Sequence, residues 1–272
     1  MSVVTRLAGF AAVLGLVFAG AAVAGGAVDV DRATPARDEG HGGKGMTMAA
    51  DPVRGLAVSD GGLTLELARR GDTLAFRIAD ARGRTVRDFD VEHTRRMHLI
   101  VVRRDMTGFQ HLHPRQAADG TWSVPARLAE AGTYRVFADF SVGGRPRTLA
   151  TDLAVDGVVR TTPLPAPQAT AQVDGMQVRL DESAARAGAE SELRFAVTRG
   201  GRPVAVQDYL GAKGHLVALR EGDLAFLHVH PDQNRLRFMA TFPTAGRYRL
   251  FLQFKTADGR LHTAAFTQEV TR

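Results

Sequence analysis

The sequence predicts an all-β protein in which two tandem sandwich domains follow an N-terminal hydrophobic segment. Three observations lead to this prediction: apolar and polar residues alternate in short runs after position 51, turn residues separate the runs, and one stretch of about 100 residues occurs twice. Alternation over four to eight positions is typical of strands with one buried face. Runs of this kind at regular spacing, without a helical period, indicate β-sandwiches.

The first element, residues 1–28, has the composition of an export signal. Arg6 is its only charged residue, and the 22 residues from Leu7 to Val28 carry no charge. Ala22-Val23-Ala24 fits a small-residue cleavage site. The same stretch is long enough to cross a bilayer as a helix. We therefore expect either a cleaved signal peptide or a retained membrane anchor, and both place the rest of the chain outside the cytoplasm, secreted or anchored.

Two segments without a hydrophobic period delimit the domains. Residues 29–51 combine glycines, a proline and charges, which predicts a flexible spacer. Residues 158–168 contain three prolines within five positions, which favours an extended linker. The predicted sandwich domains are therefore residues 52–157 and residues 169–272.

The duplication is clearest around a set of histidines. In both copies a lone His lies 13 residues before a His-x-His pair that a proline follows. The matching segments are Met97–Arg103 and Phe109–Pro114 in the first copy, and Gly214–Arg220 and Phe226–Pro231 in the second. A further match joins Ala131–Phe137 to Ala245–Phe251. His93 and His262 have no counterpart in the other copy, and we interpret both as incidental.

The predicted hairpin brings each set of three histidines together. Two apolar runs joined by a loop of about four residues form a hairpin. Pairing Arg103 with Gly108 places His98 opposite His113, and His111 shares their face because it is two residues away. Opposed Cβ atoms lie about 4.5–5.5 Å apart, so the rings can converge on one ion. The same prediction for the second copy concerns His215, His228 and His230.

Two interpretations of these histidines stay open. Imidazoles can fill a core or bind loop carbonyl groups, and a duplication copies such residues as faithfully as it copies ligands. As metal ligands without a thiolate they suit Cu(II), Zn(II) or Ni(II), and thioethers favour Cu(I). Copper is therefore the expected metal and zinc the alternative. Five residues are candidate auxiliary ligands: Met97 and Met106 beside the first triplet, and His41, Met46 and Met48 in the spacer.

The two strands with the first triplet also carry a resemblance. Met-His-Leu-Ile-Val-Val at 97–102, followed by Phe-Gln-His-Leu-His-Pro at 109–114, resembles a group of exported bacterial proteins. Residues 76–86, with Asp-Ala-Arg-Gly-Arg, resemble YtkA-like and FixH-like modules. The resemblance spans both repeats, roughly residues 55–270, and implies an Ig-like or cupredoxin-like fold and an association with copper handling. The chain departs from true cupredoxins because it has no Cys, so electron transfer is not implied.

Composition excludes several other functions. Without Cys there can be no disulfide, thiolate zinc site, blue-copper centre or thiol nucleophile. The net charge of +6 is spread thinly, and no run of Lys or Arg exceeds two residues, so we expect no nucleic-acid partner. We find no nucleophile elbow, no His-Glu-x-x-His and no P-loop, and no acidic residue beside the triplet in sequence, so we expect no enzyme.

The expected function is an exported, non-catalytic metal-binding protein, a copper chaperone or buffer with one triplet per domain. The alternative is a structural or interaction module of the cell envelope whose histidines are structural. The expected partners are a metal ion and, in the second case, an envelope protein. Membrane contact is expected only through the N-terminal segment.

Overall fold

The computed structural model describes residues 53–182, 185–227, 229–232 and 234–272. All regular structure in this part of the chain is β. The N-terminal segment and the spacer with His41, Met46 and Met48 lie outside the described residues. Within those residues, no helix has the length and apolar character needed to cross a membrane.

The first domain is a sandwich of two antiparallel sheets. One has the order β1-β2-β3-β7-β6 and the other β5-β4-β8-β9. The strands are β1 Ser59–Asp60, β2 Leu63–Arg70, β3 Thr73–Ala79, β4 His98–Arg103, β5 Gln110–Leu112, β6 Arg115–Gln116, β7 Trp122–Pro125, β8 Gly132–Val142 and β9 Arg145–Val155.

The second domain repeats this arrangement. One sheet has the order β10-β11-β12-β18-β17, with β13 on β12, and the other β14-β19-β15-β16, with β20 on β19. The strands are β10 Thr170–Val173, β11 Met176–Glu182, β12 Glu190–Arg199, β13 Arg202–Pro203, β14 Val206–Gln207, β15 Gly214–Arg220, β16 Phe226–Leu227, β17 His230–Pro231, β18 Arg237–Thr241, β19 Gly246–Thr256 and β20 Leu261–Val270. The predicted fold class, tandem Ig-like sandwiches, is confirmed.

Strand β4, which begins with His98, is buried on both of its faces. Every residue of β4 is buried. Leu99 and Val101 point into the core of the first sandwich, whereas Ile100 and Val102 belong to a separate apolar core. An apolar run without alternation is typical of a strand covered on both sides. The outer face of β4 is therefore covered by something other than its own domain.

The second sandwich provides that cover. The separate core joins Ile100 and Phe137 of the first domain to Val217 and Phe251 of the second. Equivalent positions of the two copies meet each other there, as in a contact with approximate twofold symmetry. Phe109 stacks on Phe251 with ring centroids 4.1 Å apart, and its counterpart Phe226 lies 5.6 Å from Phe137. The two sheets that carry the histidines thus face each other.

The Pro-rich segment between the domains lies against the first sandwich. Leu164 packs on the interdomain core. The backbone N–H of Thr162 donates to the Asp105 carboxylate at 3.0 Å, and Arg103 donates to the carbonyl oxygen of Arg160. Buried Arg103 also forms ion pairs with Asp105 and Glu130. The segment has no strand pairing, but these contacts attach it to the first domain.

Candidate metal centre

The β4–β5 hairpin of the first domain has the register that the sequence predicts. Leu99 pairs with Leu112, and Ile100 with His111. Continuing this register by one step places His98 opposite His113. Since side chains two positions apart share a face, His98, His111 and His113 all point away from the first core and toward the second domain.

These three rings, which we call the triad, converge on one point. The ring centroid of His98 lies 5.2 Å from that of His111 and 5.2 Å from that of His113, and the centroids of His111 and His113 are 4.7 Å apart. One ring nitrogen from each lies within 4.8 Å of the others. Imidazoles bound to one tetrahedral ion through nitrogens at about 2.0 Å would place their centroids about 5 Å apart. The spacing of the triad is that of a three-nitrogen ligand set.

Carbonyl oxygens orient two of the rings. The Nε2–H of His98 donates to the backbone carbonyl of Glu92 at 3.2 Å, and the Nδ1–H of His111 donates to Oε1 of Gln253 at 2.8 Å. Each ring then keeps a lone pair on its other nitrogen. Those two nitrogens, Nδ1 of His98 and Nε2 of His111, face each other at 2.9 Å. Nitrogens bound to one ion at about 2.05 Å are separated by about 2.9 Å at a right angle and about 3.3 Å at the tetrahedral angle.

The amide of Gln253 has a second orientation with a different consequence. Turned end for end, its NH₂ group donates to Nδ1 of His111, and its oxygen accepts from Thr263, 3.3 Å away. Nε2 of His111 then carries the proton and donates to His98. This gives a closed chain of hydrogen bonds with no place for a cation between the rings. The two orientations of one amide thus correspond to a ligand set and to a structural network.

His113 supplies an observation that does not depend on Gln253. Its Nε2 is buried and has no hydrogen-bond partner among the described residues. A buried polar atom without a partner costs about 1–3 kcal/mol, so such atoms are rare in folded proteins. A metal ion bound through this nitrogen would satisfy it.

The second domain contributes His215, the counterpart of His98. Its ring centroid lies 6.5 Å from His98 and 6.0 Å from His111, across the domain interface. Its Nε2–H donates to the backbone carbonyl of Tyr209 at 3.0 Å. Tyr209 occupies the position of Glu92 in the repeat. The same turn therefore orients the first histidine of both copies.

The structure describes the rest of the second triplet only in part. Strand β16 ends at Leu227, and His230 pairs with Met239 in the opposite sheet of the sandwich. The register of Ala218 with Leu227, if continued, would have placed His230 opposite His215. His228 lies outside the described residues, as does the side chain of His230. Among the described residues a single triad is formed, and a triad in the second domain stays a prediction.

Two residues of the site escaped the sequence analysis. His93, interpreted above as incidental, lies 5.3 Å from His215 and 6.3 Å from His98 between ring centroids. Asp139 pairs with His98 in the β4–β8 ladder, and both line a cavity with His93, His111 and His215; His113 is not among the residues that line it. That cavity has a volume of about 50 Å³. A carboxyl within the apolar run of β8 was the available signal for Asp139, whereas nothing in the sequence distinguished His93.

Burial keeps the rings of His98, His111, His113 and His215 uncharged near neutral pH. It lowers the pKa of His98, His113 and His215 to about 4, and the pKa of His111 well below its usual range. It raises the pKa of Asp139 to about 6, although Thr148 donates a hydrogen bond to that carboxyl at 2.7 Å. Metal binding requires neutral imidazole, so the fold provides these rings in the state that a metal needs.

The remaining candidates lie elsewhere. Met97 is 1% exposed and packs in the core of the first sandwich, and Met106 packs in the interdomain core. Neither lines the cavity, because the side chain next to His98 points to the opposite face of β4. Of the described candidates, neither methionine thus brings a thioether to this cavity, whereas His41, Met46 and Met48 lie outside the described residues. His262 is buried and bonded to Asp174 and Thr256.

The fold and the site together define a tandem Ig-like β-sandwich protein with a histidine cluster between its domains. The chain belongs to the family described as Domain of unknown function (DUF8832), which matches residues 57–157 and again residues 171–272. A search of curated proteins found no match.

Solved structures with some likeness include two bacterial adhesins. The Escherichia coli adhesin FdeC is 14% identical over 79% of this chain and 66% of that chain, with a TM-score of 0.25. The Yersinia pseudotuberculosis adhesin InvE is 13% identical over 80% and 57%, with a TM-score of 0.21. Bacteroides ovatus SGBP-B, in complex with a mixed-linkage heptasaccharide, is 15% identical over 89% and 46%, with a TM-score of 0.19. This chain spans less than two thirds of each of them.

Proposed function

We propose that this chain is an exported, non-catalytic metal-binding protein of the cell envelope that holds a transition-metal ion in its triad, with copper as the first candidate and zinc as the second. One observation carries the proposal. With His98 and His111 each donating to a carbonyl oxygen, two ring lone pairs face each other at 2.9 Å. Metal-bound histidines characteristically donate their second ring N–H to such an oxygen.

The donor set favours a divalent ion. It consists of imidazole nitrogens, with the Asp139 carboxyl as the only nearby oxygen donor of a side chain among the residues lining the cavity. Imidazole suits Cu(II) and Zn(II), and Cu(II) binds more tightly to a given nitrogen site. Because neither Met97 nor Met106 reaches the cavity, Cu(II) is now a better candidate than Cu(I).

The size of the cavity supports binding rather than turnover of an organic substrate. Pockets for small organic molecules usually measure about 300–1,000 Å³, whereas this cavity holds about 50 Å³. That volume accommodates an ion and a few water molecules. A buffer or chaperone needs no more than this. Export follows from residues 1–28, whose composition is that of a signal peptide or anchor.

The second candidate function is a structural or interaction module of the envelope. The specific observation in its favour is the closed hydrogen-bond chain that forms when the Gln253 amide is turned. His98, His111 and Gln253 would then join the two sandwiches without a metal, and a loop or sheet edge would bind an envelope protein.

Metal analysis of the purified chain separates the two functions. We expect Cu(II) or Zn(II) to bind, and we expect His98→Ala and His113→Ala to abolish binding at micromolar metal. His262→Gln is the matched control, because it alters a buried, hydrogen-bonded histidine outside the cavity. If the chain binds less than one ion, or if His113→Ala lowers thermal stability without changing metal content, the histidines are structural.

A further inference from the structure

We infer that the two sandwiches share one metal ion, with His215 of the second domain completing the coordination sphere of the triad. This inference rests on the proposed function, since it concerns the same ion. It differs from the sequence-based expectation of one site per domain, and it makes the metal a link between the domains.

The triad leaves a position for a fourth ligand on the side of the second domain. Its three nitrogens come from one hairpin, and closed metal sites in proteins are usually four-coordinate. His215 lies on that side, is buried, and lines the same cavity as His98 and His111. No other histidine of the second domain has a described side chain in this cavity.

The hydrogen bond of His215 leaves one ring nitrogen available for a metal. Its Nε2–H is engaged by the Tyr209 carbonyl, as that of His98 is by the Glu92 carbonyl. Nδ1 is then the unprotonated nitrogen of both rings. Because β4 and β15 are equivalent strands on sheets that share one apolar core, the two rings lie on opposite sides of the interface. Equivalent turns thus prepare equivalent ligand atoms on the two domains.

For His215 to bind the same ion as the triad, its ring must move slightly closer to the triad. The centroid of His215 is 6.0 Å from that of His111 and 6.5 Å from that of His98, against 5.2 Å between the last two. His215 is therefore roughly 1 Å further from His98 and His111 than these two rings are from each other, and changes of side-chain rotamer on binding are common. Binding of the ion supplies the driving force for this closure.

The described surroundings of His215 favour a shared ion. The backbone of His230 pairs with Met239, in the sheet opposite to the one that carries His215. The described imidazoles nearest to His215 are those of His93, His111 and His98, which all belong to the first domain.

The test counts ions and nitrogen ligands in the full chain. Native mass spectrometry with excess Cu(II) should give one specifically bound ion per chain, and the EPR spectrum should show hyperfine coupling to four nitrogens. His215→Gln keeps an amide donor for the Tyr209 carbonyl, and it should weaken Cu(II) binding 10- to 100-fold and reduce the coupling to three nitrogens. His262→Gln should change neither quantity.

The outcomes separate the two proposals. Two equivalent ions per chain, or three-nitrogen coupling already in the unmodified protein, would overturn the shared site but leave metal binding by the triad intact. Unchanged affinity and coupling in His215→Gln would do the same. Absence of any bound metal would overturn the proposed function itself, and the shared site with it. The spectrum of the unmodified chain decides the matter even if the variant does not fold.

Discussion

Gln253 is the residue whose replacement tests the geometry of the site most directly. Its side chain is 5% exposed, lies in the second domain, and contacts His111 of the first at 2.8 Å. Gln253→Leu removes the acceptor and keeps a similar volume. Loss of an outer hydrogen bond to a metal-bound histidine typically reduces metal affinity 10- to 100-fold, or about 1.4–2.8 kcal/mol. We expect a loss of that size for Cu(II).

The assay is a competition titration against a chelator of known affinity. Gln172→Leu on β10 makes the same chemical change at an exposed position and should leave the Cu(II) affinity unchanged. Gln253→Glu restores an oxygen acceptor for the ring of His111, so this variant should bind Cu(II) about tenfold more tightly than Gln253→Leu does.

One result would refute this reasoning. In the metal-free protein, Gln253→Leu leaves the His111 ring nitrogen buried without a partner, which should cost about 1–3 kcal/mol of folding stability. If that loss is measured by urea unfolding while the Cu(II) affinity of the variant is unchanged, Gln253 acts only as a structural bridge between the domains. The lone pairs of His98 and His111 would then not face a metal.

Three further predictions follow from the same contacts. Met97→Leu should change the Cu(II) affinity less than twofold relative to the unmodified chain, because Met97 packs in the core of the first sandwich. The same titration measures this, and a larger loss would mean that the thioether of Met97 reaches the ion. Phe109→Ala removes the stacking on Phe251, so it should lower the free energy of unfolding by about 2–3 kcal/mol. Calorimetry should then show the two domains unfolding in separate transitions. A change below about 1 kcal/mol would contradict this. The metal-free chain should be less stable to urea at pH 5 than at pH 7. Its buried imidazoles have a pKa of about 4 and stay neutral, whereas those of the unfolded chain gain protons below about pH 6.5. Each such group lowers the free energy of unfolding by up to ~1.4 kcal/mol per pH unit in this range. Asp139, whose pKa is raised to about 6, partly offsets this loss between pH 6 and 3.8, and equal or greater stability at pH 5 would contradict the prediction.

The strands and the first hairpin could be predicted because their signals are local. Alternation identifies a half-buried strand, and two apolar runs with a short polar loop between them allow only a few registers. One of these registers places His98 opposite His113, and the observed pairing of Leu99 with Leu112 agrees with it. The fold class followed from the same signals together with the repeat.

The contact between the domains could not be predicted, because it depends on which surface covers an apolar face. The run from Leu99 to Val102 indicates that both faces of β4 are buried, but it does not name the partner. The meeting of His98 with His215 follows only once the two copies face each other. The same holds for His93, which approaches His215 across the interface although it has no counterpart in the repeat.

The interface between the sandwiches has two regions of different chemistry, and this difference explains why a metal would matter there. One region is apolar, with Phe109 against Phe251 and Phe137 near Phe226, and it buries surface as a domain core does. The other is the histidine cluster, which buries polar rings whose desolvation opposes association. The His111–Gln253 contact is a direct hydrogen bond between the domains within this cluster. An ion bound there would offset the desolvation of several rings at once. The apolar region would then hold the domains together, whereas the metal would set how tightly the histidine region closes.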